Sequence, residues 1–89
     1  MAARIEYKAS VEKDLRKVGK AVAERVLRKI EQTLTSEGLQ GDALSGEFAG
    51  LFRLRVGDDR VIYARTDEGY LVLRIGHRRD IYRRERMAR

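Results

Sequence analysis

The stretch Leu51–Gly76, LFRLRVGDDRVIYARTDEGYLVLRIG, decides the fold. Three runs within it, LFRLRV, RVIYAR and YLVLRIG, are rich in the branched, aromatic and leucine side chains that suit strands. Gly57-Asp58-Asp59 parts the first two and Thr66-Asp67-Glu68-Gly69 the last two, and both spacers suit tight antiparallel hairpins. In the first run Phe52, Leu54 and Val56 alternate with Arg53 and Arg55. Successive side chains of a strand point to opposite faces, so the apolar set seeks a core and the two arginines stand on the other side. The next two runs are apolar on both faces, as expected of central strands in a partly wet sheet.

The preceding half supplies the cover. Arg4–Lys8, RIEYK, alternates polar with apolar residues and reads as a short first strand. Ser10 is placed to cap a helix carrying Val11, Leu15 and Val18 at helical spacing, and Gly19 breaks it. A second helix is expected from Lys20 to Glu37, with Val22, Val26, Leu27, Ile30 and Leu34 in one stripe and Gly38 closing it. Residues 38–50 hold four of the eight glycines and read as a loop with one turn around Ala43 and Leu44. A last short helix is expected from Asp80 onward, with that carboxylate near its N-terminal dipole. The expectation is one domain over residues 1–89, of α+β class. Its helical hairpin packs on a mostly antiparallel four-stranded sheet in the order β-α-α-β-β-β.

Size and composition narrow the chemistry. Eighty-nine residues support one core but not two. There is no cysteine and one histidine, so neither disulfides nor a thiolate metal centre is available, and no metal or cofactor is expected. The first residues lack the apolar segment of a signal peptide and no run reaches membrane-spanning length, which suggests a cytoplasmic protein. Residues 1–49 hold nine Lys/Arg against eight Asp/Glu, whereas residues 50–89 hold eleven against six, and those eleven are all arginine. An alternating charged face is most often simply solvated. Arginine alone, concentrated in one half, suits planar, bidentate contacts to phosphate.

The chemistry such a face permits is that of single-stranded or loop RNA. Arginines neutralise phosphate, tyrosines offer stacking surfaces, and no recognition helix for duplex DNA is visible. RNA carries its own nucleophile, the 2′-hydroxyl, so cleavage needs cations for the phosphorane charge and a group to move protons. His77, the one histidine, lies in IGHRRDIYRR among four arginines, and imidazole titrates near working pH.

GLFRLRVGDDRVIYARTDEGYLVLRIGHRRDIYRR, with the LSG before it and the opening YKASVEKDL, resembles RelE-type toxins of the RelE/ParE superfamily over about residues 5–84. The resemblance implies a small toxin that enters the ribosomal A site and cuts mRNA there, and that is silenced by a co-expressed RelB-like antitoxin. It assigns the family's basic pair to Arg53 and Arg55, the arginine after the hairpin to Arg60, the arginine of the last strand to Arg78, and the C-terminal tyrosine to Tyr82. Where the family pattern has lysines on the second strand, both residues here are arginine, which holds its proton too tightly to act as a base. His77, beside Arg78, is the natural substitute for the proton shuttle, with Tyr82 the other candidate. Arg74, Arg79, Arg83 and Arg84 are expected to contact RNA or ribosome. Two other functions fit the same fold: a ParE-like toxin that inhibits DNA gyrase by binding, and a catalytically silent RNA-binding module.

Overall fold

The computed structural model describes residues 4–35 and 41–81. Strand β1 (Arg4–Tyr7) leads into α1 (Val11–Val18) and α2 (Lys20–Leu34), and β2 (Asp42–Ala43), β3 (Leu51–Val56), β4 (Asp59–Arg65) and β5 (Gly69–His77) follow. The strands form one sheet in the order β1-β5-β4-β3-β2. β1 runs parallel to β5, and the other neighbours are antiparallel. The chain therefore crosses from one edge of the sheet through both helices to the other edge before the meander β3-β4-β5 fills the middle.

Both helices cover one face. Val11 from α1 and Val26, Ile30 and Leu34 from α2 pack with Leu54, Val56, Val61, Tyr63, Val72 and Ile75 of the sheet. Burying each such side chain contributes about 1.5–3 kcal/mol, so this cluster is the main source of stability. Tyr63 is fully enclosed, stacked on Phe52 at a ring-centroid distance of 5.4 Å and edge-on to Tyr70 at 5.5 Å.

The expected architecture stands, with four local corrections. The sheet has five strands, because the glycine-rich stretch contributes the two-residue β2. The turn in that stretch is a 3-10 turn at Gly46–Phe48 rather than around Ala43 and Leu44. Helix α2 stops at Leu34, and the proposed closure at Glu37 and Gly38 lies outside the described residues. Ser10 occupies the N-cap position of α1 without a side-chain capping bond, since its own backbone is already helical.

One irregularity governs the rest. Along β4 and β5, Tyr63 faces Val72 but Ile62 faces Arg74, so Leu73 is an extra residue on β5. Such a bulge reverses which face every later side chain takes. Val72 and Ile75 consequently both reach the core, while Arg74 and Gly76 turn to the opposite face.

Candidate nucleic-acid interface

The face of the sheet away from the helices carries arginine. Register places Asp42 opposite Arg53, Arg53 opposite Ile62, and Ile62 opposite Arg74 in one row. Arg55, Arg60 and Gly76 form the next row. Arg53, Arg55, Arg60 and Arg74 thus share one open face, as the alternation of β3 foretold for its own two arginines. Between them Ile62 is 6% exposed and Ile81 is 2% exposed, although neither belongs to the cluster beneath the helices. Ile81, from the helical turn at residues 78–81, sits over Gly76, 3.9 Å from where a Cβ would stand. The open face therefore has a small apolar floor of its own, rimmed by guanidinium groups.

The arginines are held in different ways. Asp42 Oδ2 accepts from Arg53 Nη2 at 3.2 Å and lies 3.7 Å from Arg55 Nε. Arg60 turns back on its own hairpin, where Nη1 donates to the carbonyls of Gly57 and Asp59 at 2.8 and 2.9 Å. The placement of Asp42 comes from its neighbour. Gly41 N–H donates to Tyr63 Oη at 2.8 Å, and a Cβ at Gly41 would lie 2.1 Å from the Arg53 carbonyl oxygen. Only glycine lets β2 approach this closely.

His77 is elsewhere. Its partner across the ladder is Asp59, which lies on the helical side of the sheet, is 7% exposed and pairs with Arg25 of α2 at 3.7 Å. The expectation that His77 sits with Arg53 and Arg55 around one phosphate is thus not met. It lies across the sheet from them because the bulge at Leu73 shifts its side. Its Nδ1 accepts the Arg79 N–H at 3.2 Å, which leaves the hydrogen of the neutral ring on Nε2. His77 lines a cleft of 490 Å³ along the end of β5, between Lys17, Val18, Val22 and Arg25 of the helices and Asp80 and Ile81 of the final turn. Arg78 and Arg79 are exposed at that turn, the backbone of Arg78 donating to the Asp58 carbonyl at 2.9 Å. Tyr82, Arg83 and Arg84 lie outside the described residues.

Three features escaped the sequence. Asp59 is the first residue of β4 and buried, not a turn residue. Asp14 of α1 is buried, and its Oδ2 accepts the Ile75 N–H at 3.0 Å. Arg25, Arg28 and Lys29 of α2 line a 610 Å³ groove that reaches Arg55 and the β3–β4 turn. Their i, i+3 and i, i+4 spacing was the available signal. Among the described residues, no group of three His, Asp or Glu side chains is placed to hold a metal ion, and no helix is long and apolar enough to cross a membrane.

A five-stranded sheet with one parallel edge strand and a helical hairpin on one face is a RelE-like fold. Residues 5–82 match the family described as ParE toxin of type II toxin-antitoxin system, parDE, and the chain belongs to that family, within the RelE/ParE superfamily. Toxin RelG of Mycobacterium tuberculosis is 34% identical over 83 residues, covering 90% of this chain and 95% of RelG. Among solved structures, the toxin–antitoxin complex RelBE2 of M. tuberculosis matches with a TM-score of 0.77 at 28% identity, over 86% of this chain and 92% of that one. A free double-arginine mutant of Escherichia coli toxin RelE matches with a TM-score of 0.71 at 22% identity, over 92% and 90% of the two chains.

Proposed function

We propose that this toxin is a metal-independent endoribonuclease that cuts mRNA in the ribosomal A site and so stops translation. The observation that carries the reading is the grouping of Arg53, Arg55, Arg60 and Arg74 on one open sheet face. In this reaction the RNA's 2′-hydroxyl attacks the adjacent phosphorus, the bond to the 5′-oxygen breaks, and a cyclic phosphate and a free 5′-hydroxyl result. Arginines bind the phosphate and neutralise the charge that grows on it, while a separate group takes the proton from the 2′-hydroxyl or gives one to the leaving oxygen. The arginines cannot do the second task. His77 lies on the helical side of the sheet, and we assign the proton step to Tyr82, the other candidate of the family pattern. Arg78 and Arg79, with Arg83 and Arg84, extend the contact to RNA and ribosome.

The natural partner is an antitoxin of RelB type, since the RelBE2 match is a toxin–antitoxin complex and the E. coli DinJ–YafQ complex also shares the fold. An acidic segment of that antitoxin would meet the same arginines, and its site of action places the toxin in the cytoplasm.

The family match to ParE toxins favours one second reading, inhibition of DNA gyrase by binding alone. Two assays on one preparation separate the two: primer-extension mapping of mRNA in a reconstituted translation system, and gyrase supercoiling. The expected result is cuts in ribosome-bound mRNA with supercoiling untouched, and loss of the cuts in Arg53→Gln/Arg55→Gln. Supercoiling inhibition without cuts would establish the gyrase reading, and binding to ribosomes without cuts would leave a silent RNA-binding module.

A further inference from the structure

We propose that Asp42 occupies, on the arginine face, the place of a phosphate oxygen of the RNA, so that substrate must displace its carboxylate to bind. The inference rests on the reading of that face as an RNA site. Its basis is geometry. A single carboxylate oxygen of Asp42 serves two guanidinium groups, at 3.2 Å from Arg53 Nη2 and 3.7 Å from Arg55 Nε. An oxygen that hydrogen-bonds one arginine and lies within ion-pair distance of a second stands where a non-bridging phosphate oxygen would bind, because carboxylate and phosphate oxygens accept from the same guanidinium donors.

The contact is built into the fold. Arg53 and Arg55 are two residues apart on β3 and so point the same way. Asp42 is registered opposite Arg53 by β2. That register is fixed from within: the hydroxyl of the enclosed Tyr63 accepts from Gly41 N–H, and Gly41 has no Cβ to meet the Arg53 carbonyl. A core aromatic residue thereby aims a surface acid at two surface bases. Yet the acid itself is 59% exposed at its side chain, so incoming phosphate has a path to replace it.

Two consequences follow from charge. While Asp42 is in place the local field of the face is lowered by one unit, which weakens attraction for any polyanion. The carboxylate also raises the requirement for binding, because only a ligand that presents phosphate to both arginines recovers what the displaced ion pairs lose. Asp42 is in this sense a selectivity element that acts through Arg53 and Arg55.

The test is equilibrium binding of a short fluorescein-labelled single-stranded RNA to the full chain, titrated over a salt series. Asp42→Asn keeps the shape and removes the charge, and it is expected to bind roughly three- to ten-fold tighter at low salt. Its plot of log affinity against log salt should keep the parent's slope, because the same phosphate is neutralised at this site in both proteins. Asp42→Glu restores the charge and should return binding toward the parent. Equal or weaker binding by Asp42→Asn overturns the proposal, since a purely structural Asp42 would lose affinity together with thermal stability. Arg53→Gln/Arg55→Gln serves as the reference: undiminished affinity there removes the RNA reading of the face and this proposal with it. Weakened affinity there, with no gain in Asp42→Asn, removes the proposal alone.

Discussion

His77 and Asp59 face each other across β4 and β5, on the side of the sheet that the helices cover. The histidine is therefore separated by the thickness of the sheet from Arg53 and Arg55. His77→Ala should cut ribosome-bound mRNA within a few-fold of the parent across the neutral pH range. Tyr82→Phe, by contrast, should lose on the order of 10²–10⁴-fold, the usual contribution of a general acid or base. Single-turnover cleavage of stalled ribosome complexes measures both. A large loss in His77→Ala with a normal Tyr82→Phe would reverse the assignment.

Asp14 supplies from a helix what a neighbouring strand would otherwise give. β1 ends at Tyr7, with Lys8 N–H still bonding to the Val72 carbonyl, and beyond it the Ile75 N–H donates to the buried Asp14 carboxylate. Asp14→Leu should cost about 1–3 kcal/mol, the desolvation of an unpaired buried amide, read as a drop in the urea midpoint at constant slope. Asp14→Asn keeps a carbonyl acceptor and should cost less.

Burial raises the pKa of the Tyr63 hydroxyl, and the bond from Gly41 opposes this in part. A group whose folded pKa is raised contributes stability that is complete below its unfolded value, near ~10, and is lost as pH climbs through the folded value. Unfolding titrations of the parent should therefore show an alkaline decline that is smaller in Tyr63→Phe, where Tyr7, whose pKa burial also raises, keeps its own share. At neutral pH the same variant leaves Gly41 N–H without its acceptor and should be less stable by about 1 kcal/mol.

The groove of Arg25, Arg28, Lys29 and Arg55 continues the positive surface from the open face onto α2. No carboxylate pairs with Arg28 or Lys29 among the described residues. If ribosomal RNA runs along this groove, Arg28→Gln/Lys29→Gln should weaken ribosome binding and flatten its salt dependence by about 0.7–0.9 for each phosphate no longer neutralised. Unchanged slopes in sedimentation with ribosomes would remove α2 from the interface.

The meander was readable because its information is local. Gly57-Asp58 and the Thr66–Gly69 turn punctuate three strands, and the alternation in β3 correctly assigns Arg53 and Arg55 to the uncovered side. The helical stripe was readable for the same reason, with Val26, Ile30 and Leu34 all buried. What escaped is non-local. The pairing of β2 depends on Gly41 meeting Tyr63, twenty-two residues away, and Asp14 meets Ile75 sixty-one residues on. The side taken by His77 was hidden by LVLRI, an apolar run with no period of two to reveal an extra residue.

With Leu73 unmatched, β5 is one residue longer than its ladder with β4 requires. Removing Leu73 would join Val72 directly to Arg74 and restore plain alternation, with Val72 and Ile75 still inward and Arg74 still outward. Removing Ile75 would leave a strand of the same length, yet plain alternation would then carry Arg74 beneath the helices and drive a charge into the core. Two deletions of equal size, two positions apart, thus part company: one straightens the strand and the other inverts it. Inside and outside along the end of β5 are set by distance from the bulge, not by distance from the start of the strand.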